Sequence, residues 1–570
     1  MNRIAMRVAW IVVCVFLATP GFASAQGGGG PGGGGGPGGG GGPGGGGGPG
    51  MPLGPVPFPP ENPFTEEKRV LGKVLFWEEQ LSSDDTVACG TCHRPERGGA
   101  DPQFGRNPGV DGNIGTPDDV FGSRGVIRSD VNKDYQPSAD FGLSRQVTGR
   151  RAPDFTGAAY HDNIFWDGRA TSEFTDPQTG LVSIASGGAL ESQAVGPILA
   201  DTEMAHEGRT WADVTTKLAE ATPLKLASNV PPDMANALVA NPTYPDLFQD
   251  AFGDPAITAE RIAFAIATYE RTLVPDLTPW DAFNAGNQNA LSPPQQQGRN
   301  LFMGAGRCNQ CHPPPLFSDG TFRNIGLRPI NEDAGRQDVT GDPADRGKFK
   351  VPSLRNVALR SRFFHNGRQA GLSGAVEVYD NSGGPFNNNR DPVLQGLNFN
   401  PNQRELIADF LEALTDPRAE LGTFPFDRPT LYTETNPPGS NHFGQATAGT
   451  MGVRPRIIAL SPPASGAGDF KLGVGSALGG APGYFAFSTT APIMGTMFLG
   501  VSLHVSGATA VVAPVLMEGM GAPDGHATLQ IPIPDDPGLV GMQFWAQWFI
   551  VDPNGPAGLS ASRGATWTIF

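Results

Sequence analysis

The segment "CGTCH" at residues 89–93 returns as "CNQCH" at 308–312. Two cysteines at this spacing leave one side of a helical turn together, and the next residue adds an imidazole beside them. That set suits two thioether bonds to one haem, with histidine binding the iron from below. A four-cysteine zinc site is the competing reading, but zinc ribbons bring their second pair within about 15–20 residues. Here the second pair begins 219 residues later, and both copies carry the trailing histidine. The spacing predicts two covalent c-type haems, one on Cys89, Cys92 and His93 and one on Cys308, Cys311 and His312. His93 and His312 are the expected iron ligands.

The remaining cysteine, Cys14, lies in an expected secretory signal over residues 1–25. Arg3 and Arg7 precede the apolar run "VAWIVVCVFLA", and "ASA" at 23–25 has the small-residue cleavage pattern. The run is too short to span a bilayer comfortably, so no transmembrane span is expected after cleavage. A periplasmic or otherwise exported chain then keeps four cysteines, all inside clamps and none for disulfides. The net charge of −16 repels phosphates and argues against nucleic acid. It is compatible with steering a small basic protein.

Residues 27–50 contain only glycine and proline, within a linker expected over 26–60. Such a segment has nothing to bury and reads as a flexible tether with a reach of roughly 25–30 Å. Ordered sequence resumes near Glu61. "TEEKRVLGKVLFW" predicts a helix capped by Thr65, with acids in its first turn and Val70, Leu71, Val74 and Leu75 on one face. "TAERIAFAIATYERTL" repeats Ile262, Ile266, Tyr269 and Leu273 at helical spacing. "SPPQQQGRNLF" starts a helix with Ser292 as cap and Pro293 at its first position. "NQRELIADFLEALTD" (402–416) reads as an amphipathic helix through Leu406, Phe410 and Leu414.

Long Gly/Pro/Asp-rich loops separate these helices, notably 94–150 and 317–350. Helical domains with such loops wrap something that supplies part of the core, as a cofactor does. The acidic loop "DGNIGTPDD" (111–119) reads as a solvated turn. After about residue 425, short alternating runs such as "FKLGVG", "MFLGVSLHV" and "QFWAQWFIV" alternate with Gly/Pro turns, the pattern of a β-sandwich. His442, His504 and His526 are scattered through this part and read as surface or structural residues.

Between and after the clamps lie "FWDGRA" (165–170), "ESQAVGPILADTEM" (191–204), "FKVPSLRNVALRSRFFHNG" (349–367) and "AVEVYDNSGG" (375–384). As an ordered set with the two clamps, these resemble the bacterial di-haem cytochrome c peroxidase family, which includes the MauG-type enzymes. The resemblance covers about residues 61–420. It implies a mainly α architecture of two cytochrome-c-like haem domains, 61–290 and 291–424, ahead of an all-β domain at 425–570. The N-terminal haem would be peroxidatic and the C-terminal haem would receive electrons from a small donor protein, a cytochrome c or a cupredoxin.

By motif, Glu203 matches the family's distal catalytic acid and Gln193 its companion. The chemistry supports an acid there independently. Breaking the O–O bond of hydrogen peroxide needs a group that takes a proton from the near oxygen and gives one to the far oxygen. A carboxylate whose pKa is raised by burial does both. Trp166 matches a tryptophan between the haems, where an oxidisable indole relays a hole across a gap too long for one jump. Arg169 serves haem propionates or pairs with an acid. Tyr379 stands where other members place methionine and MauG-type members tyrosine, as the second iron's further ligand. A phenolate there lowers the reduction potential relative to methionine. His365 matches a family histidine near this haem that does not bind its iron.

Two features depart from the family. Some members block the peroxidatic iron with a histidine after the first clamp, and no histidine occurs between His93 and His161. An open or water-bound first iron, without reductive gating, is therefore expected. The family also often holds calcium between its domains, where this chain has Arg151, Arg360 and Arg362. Three cations oppose a divalent ion, so calcium is not expected there. Two rivals stay open from the residues: a MauG-like oxidase acting on a protein or organic substrate, and a non-catalytic electron-transfer cytochrome.

Overall fold

Thr65 accepts a hydrogen bond from the Lys68 backbone and starts helix α1 (Glu66–Phe76), which buries Val70, Leu71, Val74 and Leu75. The computed structural model describes residues 52–570 apart from Asn381; the signal segment and most of the Gly/Pro linker lie outside them. The described residues form two compact units, 52–440 with 460–464, and 441–459 with 465–570.

The first unit contains two large apolar cores and a smaller cluster around Ile164 and Leu190. In one, α1 packs on α2 (Ala259–Arg271), capped by Thr258, whose Ile262, Ile266 and Tyr269 are all buried. In the other, α3 (Pro293–Met303), capped by Ser292, packs on α4 (Pro401–Glu412) beside Trp280, Phe317 and Phe410. Each pair crosses at a glycine. A Cβ on Gly72 would lie 1.9 Å from the Ala265 carbonyl oxygen, and one on Gly298 1.7 Å from that of Leu406. Only a residue without a side chain lets the two backbones meet so closely.

Helix α4 ends earlier than its pattern suggests. Pro417 disfavours helix at the residue before it, and Asp416 instead accepts from the Arg418 N–H to cap a separate short helix, Pro417–Leu421. The stripe of α4 is accordingly Ile407, Phe410 and Leu411, and Leu406 is only half-buried. The long loops carry small antiparallel ribbons, such as Arg124–Ile127 with Arg145–Val147. In the 111–119 loop, Asp118 accepts from the Val110 and Asp111 N–H groups, which makes it a self-bonded turn.

The halves of this unit share a local repeat with an offset of 199 residues. "APDFTGAAYHDNIFWDGRA" (152–170) matches "VPSLRNVALRSRFFHNGRQ" (351–369) in position if seldom in identity. Each copy has a 3-10 turn, at Ala158–Tyr160 and Val357–Leu359, then a two-residue ribbon, and a left-handed phenylalanine, Phe165 (φ 70°) or Phe364 (φ 69°). Trp166 and His365 are thus equivalents, as are Arg151 and Lys350. The copies bind each other reciprocally. Arg151 N–H donates to His365 O at 2.7 Å, and Lys350 N–H donates to Trp166 O at 2.7 Å.

The second unit is strand-rich. One antiparallel sheet orders His442–Phe443, Gly564–Thr568, Gln543–Val551, Pro482–Ser488 and Val511–Leu516, with Leu559–Ala561 also on Gln543–Val551. A three-stranded sheet joins Arg456–Ile458, Lys471–Gly479 and Gly521–Gln530. Ile457, Leu472 and Val474 of the second sheet share one core with Phe485, Phe544 and Trp548 of the first. His504 and His526 bond to backbone carbonyls, of Gln445 and Asp524.

Candidate active site between two cysteine–histidine clamps

Each clamp is one turn: Cys89–Cys92 is α-helical and Cys308–Gln310 is a 3-10 turn. His93 Nδ1 lies 3.3 Å from Gly99 O, and His312 Nδ1 lies 2.9 Å from Phe317 O. With Nδ1–H donating to a carbonyl, the lone pair left for a metal is on Nε2. The four thiols form no disulfide and are each partly accessible. Burial pushes the Cys89 and Cys308 thiols up to about 12.

The clamps face two clefts with ≈ 1640 Å³ of empty space at the first and ≈ 1510 Å³ at the second, open mouths included. Phe302, Phe363, Val376, Leu394 and Leu411 give the second an apolar wall suited to a flat macrocycle. Two thiols and an Nε2 facing such a cleft fit a c-type haem in both places. Among the described residues no three His, Cys, Asp or Glu side chains converge on a metal-sized site, so a four-cysteine zinc centre has no support.

Glu203 lines the first cleft with Cys89, Cys92, His93 and Gln193. It sits on a turn after the Pro197–Leu199 3-10 segment, and its carboxylate makes no hydrogen bond among the described residues. Burial raises its pKa above the ordinary range, and the nearby Arg169 cation draws it partly back. Gln193 projects from the helix Ala189–Ala194. That helix is anchored by Glu191, fully buried, which pairs with Arg271 at 2.6 Å and accepts from Asn62 at 2.8 Å. Arg169 lines the first cleft, stacks on Phe165 at 3.7 Å and pairs with Asp167 at 3.0 Å.

The turn that presents Glu203 depends on Gly125, because a Cβ there would lie 1.9 Å from Thr202 O and 2.7 Å from Glu203 Cα. Gly125→Ala is expected to move the carboxylate and lower turnover by about 10²-fold, the scale of an ångström misplacement. Steady-state kinetics on protein with full haem content checks this.

Trp166 stands on a wall common to both clefts, which also includes Arg151, Ala152 and Pro153. Its Nε1–H donates to Arg151 O at 2.8 Å, and its ring lies edge-on to His365 at 6.2 Å. His365 in turn stacks on Phe349 at 3.6 Å and lines the second cleft. Tyr379 lines that cleft with Cys308, Cys311 and His312, and its hydroxyl has no hydrogen-bond partner among the described residues. Burial raises its pKa well above the ordinary phenol. Arg360 pairs with Asp154 at 2.7 Å, and Arg362 donates to Gly367 O and Arg368 O. His161 lines neither cleft.

Glu270 escaped the sequence reading. It faces the first cleft from α2, is 4% exposed, and its Oε2 has no hydrogen-bond partner. Burial pushes it up to about 8. The available signal was an acid four residues after Ile266, on the stripe of Ile262 and Ile266 that is otherwise apolar.

Residues 66–289 match the family model for di-haem cytochrome c peroxidase. The cytochrome c551 peroxidase of Nitrosomonas europaea is 30% identical over 67% of this chain and 86% of its own length. The methylamine utilization protein MauG of Methylorubrum extorquens is 28% identical over 63% and 81%. A solved MauG-like protein associated with microbial copper homeostasis aligns at TM-score 0.47 and 23% identity, over 66% of this chain and 96% of that one. The chain belongs to the di-haem cytochrome c peroxidase family. It is an oxidoreductase with two c-type haems. Among the described residues no helix is long and apolar enough to cross a membrane.

Proposed function

We propose that this chain, exported to the periplasm, reduces hydrogen peroxide to water at the first cleft. Electrons arrive through the second from a small redox protein, a cytochrome c or a cupredoxin. Each turnover takes one peroxide, two electrons and two protons to two waters. In this reading residues 61–290 and 291–424 are the two cytochrome-c-like domains, supported by one clamp beside each apolar core. Residues 425–570 form the additional β-domain, and nothing beyond Leu411 lines either cleft.

The observation that carries the reading is an asymmetry of the clefts. Besides its clamp the first is lined by Glu203 and Gln193, and its lining includes no imidazole but His93 and no phenol. The second presents Tyr379. When bound, haem supplies a redox-active iron that exchanges electrons with peroxide. Glu203 takes a proton from the peroxide oxygen nearer the clamp and returns one to the farther oxygen, so that this oxygen departs as water. The Gln193 amide orients the peroxide. Trp166 passes electrons between the clefts. Arg169, whose charge acts on Glu203, sets how readily that carboxylate forms.

The test is the EPR spectrum of the ferric protein, followed by peroxide turnover with a reduced small cytochrome. A high-spin signal and rapid cytochrome oxidation are expected. Two low-spin signals without turnover would leave an electron-transfer cytochrome. Tyr379 favours a second reading, MauG-like oxidation of a protein or organic substrate, which turnover with an organic donor alone would select. In either case Tyr379→Phe is expected to remove the second haem's low-spin signal while haem content stays full. An unchanged spectrum takes Tyr379 out of the coordination sphere.

A further inference from the structure

Positive charge without a full set of partners lines the two clefts. Arg151 is 3% exposed; its Nη2 donates to Asp101 O at 2.9 Å, while its Nη1 has no hydrogen-bond partner. It lines both clefts, and burial, with Arg360 and Arg362 nearby, pushes its pKa down to about 10. Lys350, its equivalent across the repeat, lines the second cleft, and its ammonium makes no hydrogen bond among the described residues. His365 also lines the second cleft, 4% exposed and with a buried, unpartnered Nε2. The neighbouring acids are largely committed: Asp154 to Arg360, and Asp333 to Arg150 at 2.6 Å. Asp101 is itself pushed up to about 6 by burial.

A buried cation short of hydrogen bonds is costly unless an anion meets it. The reciprocal bonds Arg151 N–H to His365 O and Lys350 N–H to Trp166 O hold these groups rigidly at the junction of the two halves. We propose that Arg151, on the wall common to both clefts, and Lys350 and His365, in the lining of the second, are carboxylate anchors, and that the carboxylates they take are haem propionates. The inference rests on the presence of two haems and not on peroxide as substrate. Arg151 and Lys350 supply the charge, and His365 supplies one neutral hydrogen bond. The anchors give the protein its own cations at the junction, beside the Trp166 indole.

The experiment uses the full-length holoprotein and its Arg151→Gln, Arg151→Lys and Lys350→Gln variants. The readouts are both midpoint potentials by spectroelectrochemistry and the propionate bending bands by resonance Raman. Removing a cation beside a propionate favours the ferric state, so each glutamine variant is expected to shift at least one midpoint potential negative and to move a propionate band. Arg151→Lys retains the charge and is expected to recover most of the potential shift. Glutamine variants with full haem content, parental potentials and parental bands would overturn the proposal. If Arg151→Gln fails to take up haem, Lys350→Gln carries the same test. A small anion from solution is the other source of such chemistry. Midpoint potentials of the parent protein that move with added phosphate or acetate would overturn the propionate assignment; no movement is expected.

Discussion

Glu203→Gln is expected to cut peroxide turnover by about 10²–10⁴-fold, the range of a positioned acid–base group, with both haems still attached. Glutamine keeps the size and polarity of the side chain but neither accepts nor returns a proton. The parent enzyme adds a sign. Burial raises the Glu203 pKa, and its ionised form must accept the first proton. kcat/KM therefore falls as pH drops through that raised pKa, and is full above it. The glutamine variant is expected to lose this acidic limb as well as the rate. Stopped-flow kinetics across pH reads both, and turnover unchanged at any pH would remove Glu203 from the mechanism.

The second large effect is on stability. Arg271→Met leaves Glu191, 0% exposed, without the guanidinium that meets both of its oxygens, at 2.6 and 2.9 Å. Removing one partner of a buried pair costs about 3–5 kcal/mol, because the other charge stays in the interior. Arg271 also donates to Gly187 O at 3.0 Å and Pro57 O at 3.1 Å. Its loss therefore loosens the start of the Gln193 helix and the chain entering the first core. The double variant Glu191→Met/Arg271→Met is expected to recover part of the loss, since neither charge is then stranded. Urea unfolding followed through the haem absorbance measures both. A single variant within about 1 kcal/mol of the parent would show that the pair is dispensable.

Much of the local structure was legible because its causes are local. Thr65 and Ser292 start the helices expected of them, since a side-chain oxygen and the next three N–H groups are all that a cap requires. Of the stripe expected for α4, Phe410 and Leu414 are buried and only Leu406 departs, for the complementary reason. Whether Leu406 or Ile407 is buried depends on how α4 lies against α3, and the backbone contact at Gly298 decides that. Glu270 was missed because its place on an apolar stripe has meaning only once α2 is known to border a cleft. The repeat that pairs Trp166 with His365 was missed because little identity survives; a left-handed phenylalanine and a short turn preserve it instead.

The order of residues alone determined the two clamps, because the attachment chemistry needs two thiols and an imidazole within one turn of chain. It also determined the helix caps and the change to short strands near the C-terminus, which depend on neighbours in sequence. Only the tertiary structure brought Gln193 and Glu203 together in the His93 cleft and Tyr379 into the His312 cleft. It alone placed Arg151 on the wall common to both clefts and Lys350 and His365 in the lining of the second. Those arrangements arise from packing of segments far apart in the chain, where close backbone approaches and buried charge pairs, not spacing, set which side chains meet.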